Sequence, residues 1–300
     1  MKKTLIVIIG PTGTGKTSLS IKLANMLNTA IISSDSRQIY KELKIGTATP
    51  TKVELSQVKH YMVANKSIHD YFSAGIYEIE VLKILEDIFN TKDAAILAGG
   101  SGMYIDAVCK GIDVQPDVDA QVREQIIKQY EKEGIESLRF NLQKLDPEHY
   151  AFVDLNNPKR IMKALEICFQ TGKTYTSFLK NKKKERDFRI IKIGLERNRE
   201  ELYERINKRV DIMLEEGLVE EAKQFHKFKH LNALNTVGYK ELFAHFEGEY
   251  DLQEAIRLIK RNSRRYAKRQ ITWHKKDETI NWFHPNDFDG ISNFVKMNVL

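Results

Sequence analysis

The sequence predicts an α/β fold in which a parallel sheet is flanked by helices and an all-helical segment is inserted. Four short apolar runs are continuous rather than alternating, which is typical of parallel strands buried on both faces. Helical patterns separate the first three runs, as in doubly wound α/β proteins. Between the third and fourth runs, from about residue 117 to residue 176, every segment has a helical pattern. The predicted strands are LIVII (5–9), AIIS (30–33), AAILA (94–98) and RIIKIGL (189–195).

A phosphate-binding loop follows the first strand. The stretch GPTGTGKTS (10–18) matches the pattern Gly-x4-Gly-Lys-Thr, with a strand before it and a helical stripe of Leu19, Leu23 and Leu27 after it. Backbone N–H groups of such a loop surround phosphate oxygens, the lysine adds a charge, and the helix N-terminus adds its dipole. We therefore predict a P-loop NTPase-like core that binds a diphosphate with Mg²⁺ as cofactor and Thr17 as a metal ligand. The predicted diphosphate-binding residues are Gly10, Pro11, Thr12, Gly13, Thr14, Gly15, Lys16 and Thr17.

An acidic residue follows the second strand rather than the third. Phosphoryl-transferring P-loop proteins usually end another buried strand with an Asp that holds Mg²⁺. Here AAILAGGSGMY ends in Gly-Gly-Ser-Gly, and the carboxylate is Asp35 in IISSDSRQIY. Asp35 is predicted either to face the ligand crevice at the carboxyl end of the sheet or to cap a helix. Its position in the chain does not decide between these two roles.

The helical insertion has clear start and stop signals. DAQVREQIIKQYEKEG (119–134) has an apolar residue every fourth position and ends at Gly134. NPKRIMKALEICFQTG (157–172) begins with Asn157 as a cap and Pro158 in the first turn, and Gly172 stops it. With 300 residues, the chain is long enough for a core and an inserted domain. We predict a catalytic core of residues 1–115 and 186–300 and a helical insertion domain of residues 116–185.

Arg209 lies on the apolar face of another predicted helix, which is capped by Asn198 and ends near Gly217. It follows Ile206 by three residues and precedes Met213 by four, so it points with the apolar stripe toward the interior. A guanidinium turned inward needs an anionic partner, either a structural carboxylate or a ligand phosphate. Arg205, one turn earlier, is expected at the edge.

Positive charge is concentrated in two segments. The chain carries a net charge of +7, and RLIKRNSRRYAKRQITWHKK (257–276) contains nine Lys or Arg residues and no acid. KNKKKERDFR (180–189) is a second basic cluster. Such single-sign density favours a nucleic-acid backbone as partner over an ordinary solvated face. The first cluster falls on a helix predicted from about residue 251 to residue 273, with Tyr266 and Trp273 predicted in the core.

The two cysteines and the N-terminal segment favour a reducing, cytoplasmic compartment. Cys109 and Cys168 show no metal-ligand spacing and are expected to be inert thiols. The apolar run after the two N-terminal lysines is shorter than that of an export signal, and no stretch has the length of a membrane span. We expect no membrane association, and a monomer by default.

Taken together, seven ordered sequence blocks resemble the tRNA dimethylallyltransferases, also called tRNA isopentenyltransferases. The resemblance runs through most of the chain. Ser101 stands where the family usually has Thr, Lys159 where it more often has Gln, and Lys163 where it often has Arg. The blocks are GPTGTGKTS, DSRQIYKELKIGTATP, AGGSGMY, NPKRIMKALEICFQTGK, RINKRVDIMLEEGLVEE, NTVGYKE and RRYAKRQITW.

The resemblance implies an activity and a set of site residues. It implies transfer of a dimethylallyl group from dimethylallyl diphosphate to the exocyclic N6 amine of the adenosine just 3′ of the anticodon, in tRNAs reading codons that begin with U. It further implies that Asp35 accepts the amine proton, that Lys16 and Arg209 stabilise the diphosphate, and that Ser101 contacts substrate. The insertion domain would bind the anticodon stem-loop. The implied tRNA contacts are Asp35, Ser36, Arg37, Gln38, Ser101, Arg123, Lys159, Arg160, Ile161, Met162, Lys163, Asn235, Thr236, Val237, Gly238, Tyr239 and Lys240, with Ile161 and Met162 also suited to packing.

Three alternatives remain at this point. A small-molecule P-loop kinase would share the phosphate loop, but the missing acid after AAILA and the basic clusters disfavour it. An adenylate isopentenyltransferase would share the loop and Asp35 without needing the insertion. A nucleic-acid-binding module with a regulatory nucleotide loop would need no prenyl transfer.

Overall fold

The structure, a computed structural model, describes residues 2–113, 115–116, 119–179 and 184–299. Its strands are short and its helices carry most of the chain. The strands are β1 (Thr4–Ile9), β2 (Ile31–Ser33), β3 (His60–Tyr61), β4 (Ala94–Gly99), β5 (Arg189–Leu195) and β6 (Ile280–Phe283).

The helices follow the strands and fill the segment between β4 and β5. None of those within the described ranges combines the length and apolar character that a membrane crossing requires. They are α1 (Lys16–Met26), α2 (Lys52–Gln57), α3 (Ala74–Phe89), α4 (Gly102–Lys110), α5 (Ala120–Leu145), α6 (Pro147–Phe152), α7 (Pro158–Thr171), α8 (Arg199–Glu215), α9 (Leu218–Phe225), α10 (Tyr239–Phe246), α11 (Leu252–His274) and α12 (Phe288–Val299).

The chain divides into two compact units. The first, here called the α/β unit, comprises Met1–Lys110 and Glu185–Leu300, and the second, the helical unit, comprises Gly111–Lys184. The helical unit thus begins at residue 111 and ends at residue 184, where the sequence predicted limits of 116 and 185. Residues 180–183 of the second basic cluster lie outside the described residues.

The α/β unit is built on one parallel sheet with the strand order β3-β2-β4-β1-β5-β6. All four predicted strands are present. β3 and β6 were not predicted: β3 has only two residues, and β6, with sequence INWF at the sheet edge, has one buried, one exposed and two half-buried residues. The strand order places the carboxyl ends of β2, β4, β1 and β5 side by side, and the loops that follow them share one edge of the sheet.

The core of the α/β unit explains why the central strands read as continuous apolar runs. β1 is buried at all six positions. Ile6 and Ile8 pack in one cluster with Leu19 and Leu23 of α1 and with Val295 of α12. The strand therefore has no polar face, as expected for a parallel strand covered on both sides.

The helical unit follows the start and stop signals of its sequence closely. Helix α7 has Asn157 as N-cap, whose side chain accepts from the Arg160 N–H, Pro158 in its first turn, and Gly172 as a left-handed C-cap. At Gly134, with φ +76°, the backbone leaves the helical conformation, so the first helical stretch of α5 ends there as predicted and a second one continues to Leu145. Both halves of α5 contribute to one apolar core with α7, through Ile126, Leu138 and Leu142 among others.

Both cysteines are free and buried. Burial raises the pKa of the Cys109 thiol to about 12 and also raises that of Cys168. Neither thiol has the exposure and lowered pKa of a reactive cysteine, which agrees with the expectation of inert residues.

Two members of the second basic cluster have structural partners. Arg186, whose side chain is 9% exposed, donates from Nη2 to Glu78 at 2.8 Å and from Nε to the Val108 carbonyl. Arg189 donates to Asn298. The Arg186 guanidinium is thus held inside the α/β unit and is not part of an exposed basic surface, whereas Arg189 is exposed.

Candidate active site and anion-binding cavity

The phosphate loop has the backbone geometry that its glycines predict. Gly13 (φ +86°) and Gly15 (φ +102°) both adopt left-handed conformations that other residues rarely take. Gly15 is the N-cap of α1, no side chain caps this end, and the first turn contains no acidic residue. The N–H groups at the start of α1 are therefore available to an anion.

Five of the eight predicted loop residues line a large cavity: Thr12, Gly13, Gly15, Lys16 and Thr17. The other three lie behind the loop. Gly10 and Pro11 are buried, and a Cβ on Gly10 would stand 2.9 Å from the Leu195 carbonyl. Thr14 is fully buried and its hydroxyl donates to the Pro11 carbonyl at 2.8 Å. The buried Thr14 side chain shapes the loop from within, and a diphosphate contact at these three positions stays a prediction for their backbone groups.

The cavity has a volume of about 800 Å³ and lies entirely within the α/β unit. Among the described residues that line it, Asp35 is the only carboxylate. The cavity is also lined by Lys and Arg residues from several helices and loops, so its electrostatic potential favours an anion. These cations are Lys16, Arg37, Arg205, Lys208, Arg209, Lys240 and Arg269.

Asp35 combines the two roles that the sequence left open. One carboxylate oxygen, Oδ1, accepts from the backbone N–H of Arg37 at 2.9 Å and of Gln38 at 3.3 Å, so it caps the turn that follows β2. The other oxygen accepts no hydrogen bond from the part of the chain that the structure describes. Because Asp35 lines the cavity, this second oxygen is available to a ligand.

Ser101 lies next to the Asp35 turn, although it does not line the cavity. Its Oγ accepts from the Ser36 N–H at 2.9 Å and donates to the Ser36 hydroxyl at 3.2 Å. Tyr266 lines the cavity nearby and is half-buried, where the sequence predicted a core position. Burial, with a further contribution from the charge of Asp35, raises the pKa of Tyr266 to about 12, so its hydroxyl stays protonated at neutral pH.

Arg209 points into the cavity from α8, as its position on the apolar stripe predicts. Its guanidinium donates to the Thr12 hydroxyl at 3.3 Å and makes a long contact of 3.5 Å with the Ala48 carbonyl. Burial lowers its pKa, while Asp35 and Glu54 oppose that effect. No acidic side chain among the described residues forms an ion pair with it. Arg205 is exposed at the edge, as predicted, and donates from Nε to the Gly13 carbonyl at 2.8 Å.

Lys16 has an unusual environment for a lysine. Its ammonium donates to the Pro11 carbonyl at 2.9 Å. Burial lowers its pKa to about 8; the charge of Asp35 opposes this shift, and that of Arg209 adds to it. Lys16 therefore titrates near physiological pH, and an anion beside it would favour the charged form.

Gln270 is a cavity-lining residue that the sequence reasoning missed. Its side chain is buried, accepts from the Thr12 N–H at 3.0 Å and donates to the Gly100 carbonyl at 2.9 Å. It thereby connects α11 to the phosphate loop and to the turn after β4. The signal was present in the sequence, since Gln270 is a polar residue on the buried stripe that contains Ile259 and Ala267.

The basic helix α11 begins and ends where the sequence predicted, with Asp251 as its N-cap. Its charges differ in their surroundings: Arg257 pairs with Glu254 and Lys260 with Asp211, whereas Arg265 and Lys268 are exposed. The predicted core position of Trp273 is wrong. Its ring is 45% exposed and packs over Gly102, where a Cβ would come within 2.4 Å, and its N–H donates to Asp106.

Residues 235–240 lie along the cavity, with one exception. Asn235, Thr236, Val237, Gly238 and Lys240 line it. Tyr239 is fully buried, so its side chain is not accessible for the contact with tRNA that the resemblance implied for this residue.

Arg37 connects this segment to the Asp35 turn. Its guanidinium donates to the carbonyl groups of Asn232 at 2.8 Å and Ala233 at 3.3 Å. Its Nη1 group therefore joins the turn after β2 to the residues just before 235–240.

The candidate contacts in the helical unit fall into three groups. Lys159 and Arg160 are exposed in the first turn of α7, and Lys163 is half-buried at 3.9 Å from Glu166. Arg123 forms a two-point ion pair with the buried Glu166, at 2.9 and 3.0 Å. Ile161 is fully buried in the core of the unit and Met162 packs against that core. Ile161 is therefore a packing residue and not a contact residue.

The oxygen donors at the phosphate loop are those that Mg²⁺ prefers. Thr17 lines the cavity in the first turn of α1, and its hydroxyl has no hydrogen-bond partner among the described residues. No cluster of three or more His, Cys, Asp or Glu in the described ranges could hold a metal alone. Mg²⁺ usually binds through one or two protein oxygens together with phosphates and water, and the residues present fit that pattern.

A phosphate loop at the carboxyl end of a parallel sheet, opening into a cation-rich cavity, defines a P-loop NTPase-like protein. The family comparison is more specific. Residues 38–277 match the model of the IPP transferase family. The chain belongs to this family.

Similar proteins cover nearly the whole chain. It is 55% identical to tRNA dimethylallyltransferase 1 of Bacteroides thetaiotaomicron, over 99% of this chain and 96% of that protein. It is 56% identical to tRNA dimethylallyltransferase 1 of Phocaeicola vulgatus, over 98% of each.

Solved structures with the same fold include the full-length tRNA isopentenylpyrophosphate transferase of Bacillus halodurans. The TM-score is 0.73 at 34% identity, over 99% of this chain and 97% of that one. A eukaryotic dimethylallyltransferase described as acting on tRNA matches with a TM-score of 0.80 at 26% identity, over 99% of this chain and 77% of that one.

Proposed function

We propose that this chain is a transferase that moves a dimethylallyl group from dimethylallyl diphosphate to the exocyclic N6 amine of an adenosine in tRNA. The adenosine is the one 3′-adjacent to the anticodon in tRNAs reading codons that begin with U. One observation carries the proposal. A phosphate loop and several cations make the cavity strongly positive, and Asp35 is the one carboxylate among the described residues that line it, with one oxygen free of hydrogen bonds from those residues. The names of the similar proteins support the same activity.

The cations act on the leaving group. Breaking the allylic C–O bond places negative charge on the departing diphosphate, and fixed donors aimed at that charge lower the barrier. Lys16, the N–H groups at the start of α1 and Arg209 surround the region where the diphosphate would bind. Arg209 forms no ion pair with any described residue, so the diphosphate would supply the anion that a desolvated guanidinium needs.

Asp35 acts on the nucleophile. The adenine amine forms the new C–N bond as the C–O bond breaks, and it must lose one proton. That proton goes to the free carboxylate oxygen of Asp35, and diphosphate leaves with the electron pair of the C–O bond. The products are the N6-prenylated adenosine and diphosphate, so no oxidant or further reactant is required.

The metal and the nucleic acid complete the site. The Thr17 hydroxyl would hold Mg²⁺, which when bound neutralises part of the diphosphate charge. A base-modifying enzyme must take its target base out of the stack, and the cavity volume of about 800 Å³ is sufficient for a base beside a small diphosphate. Lys159 and Arg160 of the helical unit and the exposed arginines and lysines of α11 are the proposed contacts with the RNA backbone.

We also propose that the protein works as a cytoplasmic monomer. The free, buried cysteines support the reducing compartment in this proposal.

The direct test is a transfer assay with labelled dimethylallyl diphosphate and Mg²⁺. The acceptors are an unmodified anticodon stem-loop, the same stem-loop with inosine at the target position, and AMP. Inosine lacks the exocyclic amine and is otherwise a close analogue of adenosine. We expect label in the adenosine stem-loop alone, and no appreciable ATP hydrolysis in a parallel reaction.

Each alternative function has its own outcome in this assay. Transfer to AMP alone would identify an adenylate isopentenyltransferase. Phosphorylation of a small molecule would identify a kinase, and tight stem-loop binding without any transfer would identify a binding module.

The pKa of Lys16 predicts how anion binding depends on pH. The protonated amine binds diphosphate, and its pKa of about 8 means that this charge is lost from the free protein as pH rises through that value. The affinity of the wild-type protein for inorganic diphosphate should therefore decline between about pH 7 and about pH 9 by more than the affinity of Lys16→Met does. Titration calorimetry measures both affinities. The ionisation of the ligand itself is common to both proteins, so the ratio of their dissociation constants isolates Lys16. A ratio that stays constant over this range would show that Lys16 does not titrate there.

A further inference from the structure

Glu221 on α9 is a buried carboxylate that does not line the cavity and that four donors surround. Its Oε2 accepts from the backbone N–H groups of Lys44 at 3.0 Å and Ile45 at 2.9 Å. Its Oε1 accepts from the Gly46 N–H at 2.9 Å and from the Tyr239 hydroxyl at 2.6 Å. In all four bonds the Glu221 oxygens act as acceptors, which is the pattern of an ionised carboxylate.

The four donors come from two chain segments next to the cavity. Gly46 is followed by Thr47 and Ala48, and all three line the cavity. Tyr239 begins α10 directly after residues 235–238, which also line the cavity. The two segments are also in direct contact, since a Cβ on Gly46 would come within 2.6 Å of the Tyr239 ring. Glu221 therefore ties two cavity-lining segments to each other.

The loop of residues 44–48 in turn holds side chains of the proposed active site. Gln38 donates from Nε2 to the Ala48 carbonyl at 2.9 Å and to the Thr47 carbonyl at 3.3 Å. Arg209 contacts the same Ala48 carbonyl at 3.5 Å. Ala48 has a positive φ of +48°, an uncommon conformation for a residue with a side chain. The direction of its carbonyl thus depends on how the loop is anchored.

We propose that Glu221 is a positioning residue for the prenyl-transfer reaction. It touches no substrate; it fixes the loop of residues 44–48, and that loop orients Gln38 and Arg209. Among the described residues no Lys, Arg or His forms an ion pair with Glu221, so its buried charge is compensated by the loop N–H groups and the Tyr239 hydroxyl. Such a carboxylate holds a backbone segment in one conformation, because any displacement of the loop leaves a buried charge without its donors. The proposal rests on the proposed function for its kinetic consequences.

The test compares Glu221→Gln with Glu220→Gln. The second variant removes the same charge from the same helix at an exposed position. An amide at position 221 presents an NH₂ group to two of the four donors, which loosens the loop with almost no change in volume. We expect kcat for prenyl transfer to fall about 10- to 100-fold in Glu221→Gln, with little change in the KM for dimethylallyl diphosphate, and to stay at the wild-type value in Glu220→Gln. Tyr239→Phe removes one donor of the four and should have a smaller effect than Glu221→Gln.

A double-mutant cycle separates positioning from a purely structural role. If Glu221 acts through Arg209, Glu221→Gln should lower kcat much less in the Arg209→Lys variant than in the wild-type protein. Hydrogen exchange of the Lys44, Ile45 and Gly46 amides should be faster in Glu221→Gln, and this measurement does not depend on activity. Full additivity in the cycle, or wild-type kcat with faster exchange, would overturn the positioning role. Absence of prenyl transfer by the wild-type protein would instead contradict the proposed function.

Discussion

Asp35→Asn is expected to lower kcat for prenyl transfer by about 100- to 10,000-fold, the range typical of a lost general base. The dissociation constant for the anticodon stem-loop should change little. The amide keeps an oxygen that can accept from the N–H groups of Arg37 and Gln38, so the turn after β2 can persist. What is lost is the free carboxylate oxygen that takes the amine proton. Single-turnover transfer and a stem-loop binding assay measure the two quantities separately.

Asp35→Ala is the informative comparison. It removes the proton acceptor and the cap of the turn together, so it should lose stem-loop affinity in addition to kcat. If Asp35 served only as a cap, Asp35→Asn would retain most of its activity while Asp35→Ala would not. Normal turnover in Asp35→Asn with weakened binding would exclude the general-base role.

The parts of the fold that were predicted correctly are those determined by local interactions. Helix α7 is an example, since Asn157, Pro158 and Gly172 each satisfy a backbone requirement at a helix end that depends on no other part of the chain. The buried strands were recognised because a parallel strand covered on both faces leaves no polar positions. Strand β6 was missed because it lies at the sheet edge, where Asn281 is exposed and the apolar run is interrupted.

The site could be predicted in part for the same reason. Lys16 follows β1 and Asp35 follows β2, and the carboxyl ends of parallel strands lie at one edge of the sheet. The proximity of the two residues therefore follows from the fold class. Gln270 and Glu221 are distant in sequence from the segments they hold. Their roles depend on which backbone groups the folding brings next to them, and the sequence shows only that each is a polar residue on a buried helix face.

Two errors about aromatic residues have one physical cause. Tyr266 and Trp273 share the helical stripe of Ile259, which placed both in the predicted core. The stripe is covered by neighbouring elements only over part of α11. Tyr266 therefore borders the cavity and Trp273 remains partly exposed over Gly102. Periodicity identifies the face of a helix, but the extent of its burial depends on tertiary packing.

Arg209→Gln is expected to lower kcat by about 100- to 1,000-fold, as for removal of a donor aimed at developing negative charge. The KM for dimethylallyl diphosphate should change much less, because the charge on the leaving diphosphate increases as the C–O bond breaks. Arg209→Lys should have an intermediate effect, since an ammonium restores the charge without the fork of donors that reaches both Thr12 and a second acceptor. Rapid-quench measurement of the chemical step determines both values.

Arg205→Gln is the matched control on the same helix. Arg205 also lines the cavity, but it is exposed and its Nε is already bonded to the Gly13 carbonyl. Because solvent screens an exposed charge, its loss should reduce kcat by less than about 10-fold. If the two variants lost equal activity, the net positive charge of the cavity would account for catalysis, and the specific geometry of Arg209 would not. A large loss of kcat in Arg209→Gln alone would instead show that the partly desolvated Arg209 guanidinium stabilises the departing diphosphate. The position of Arg209 on the apolar stripe of α8 indicates such a role.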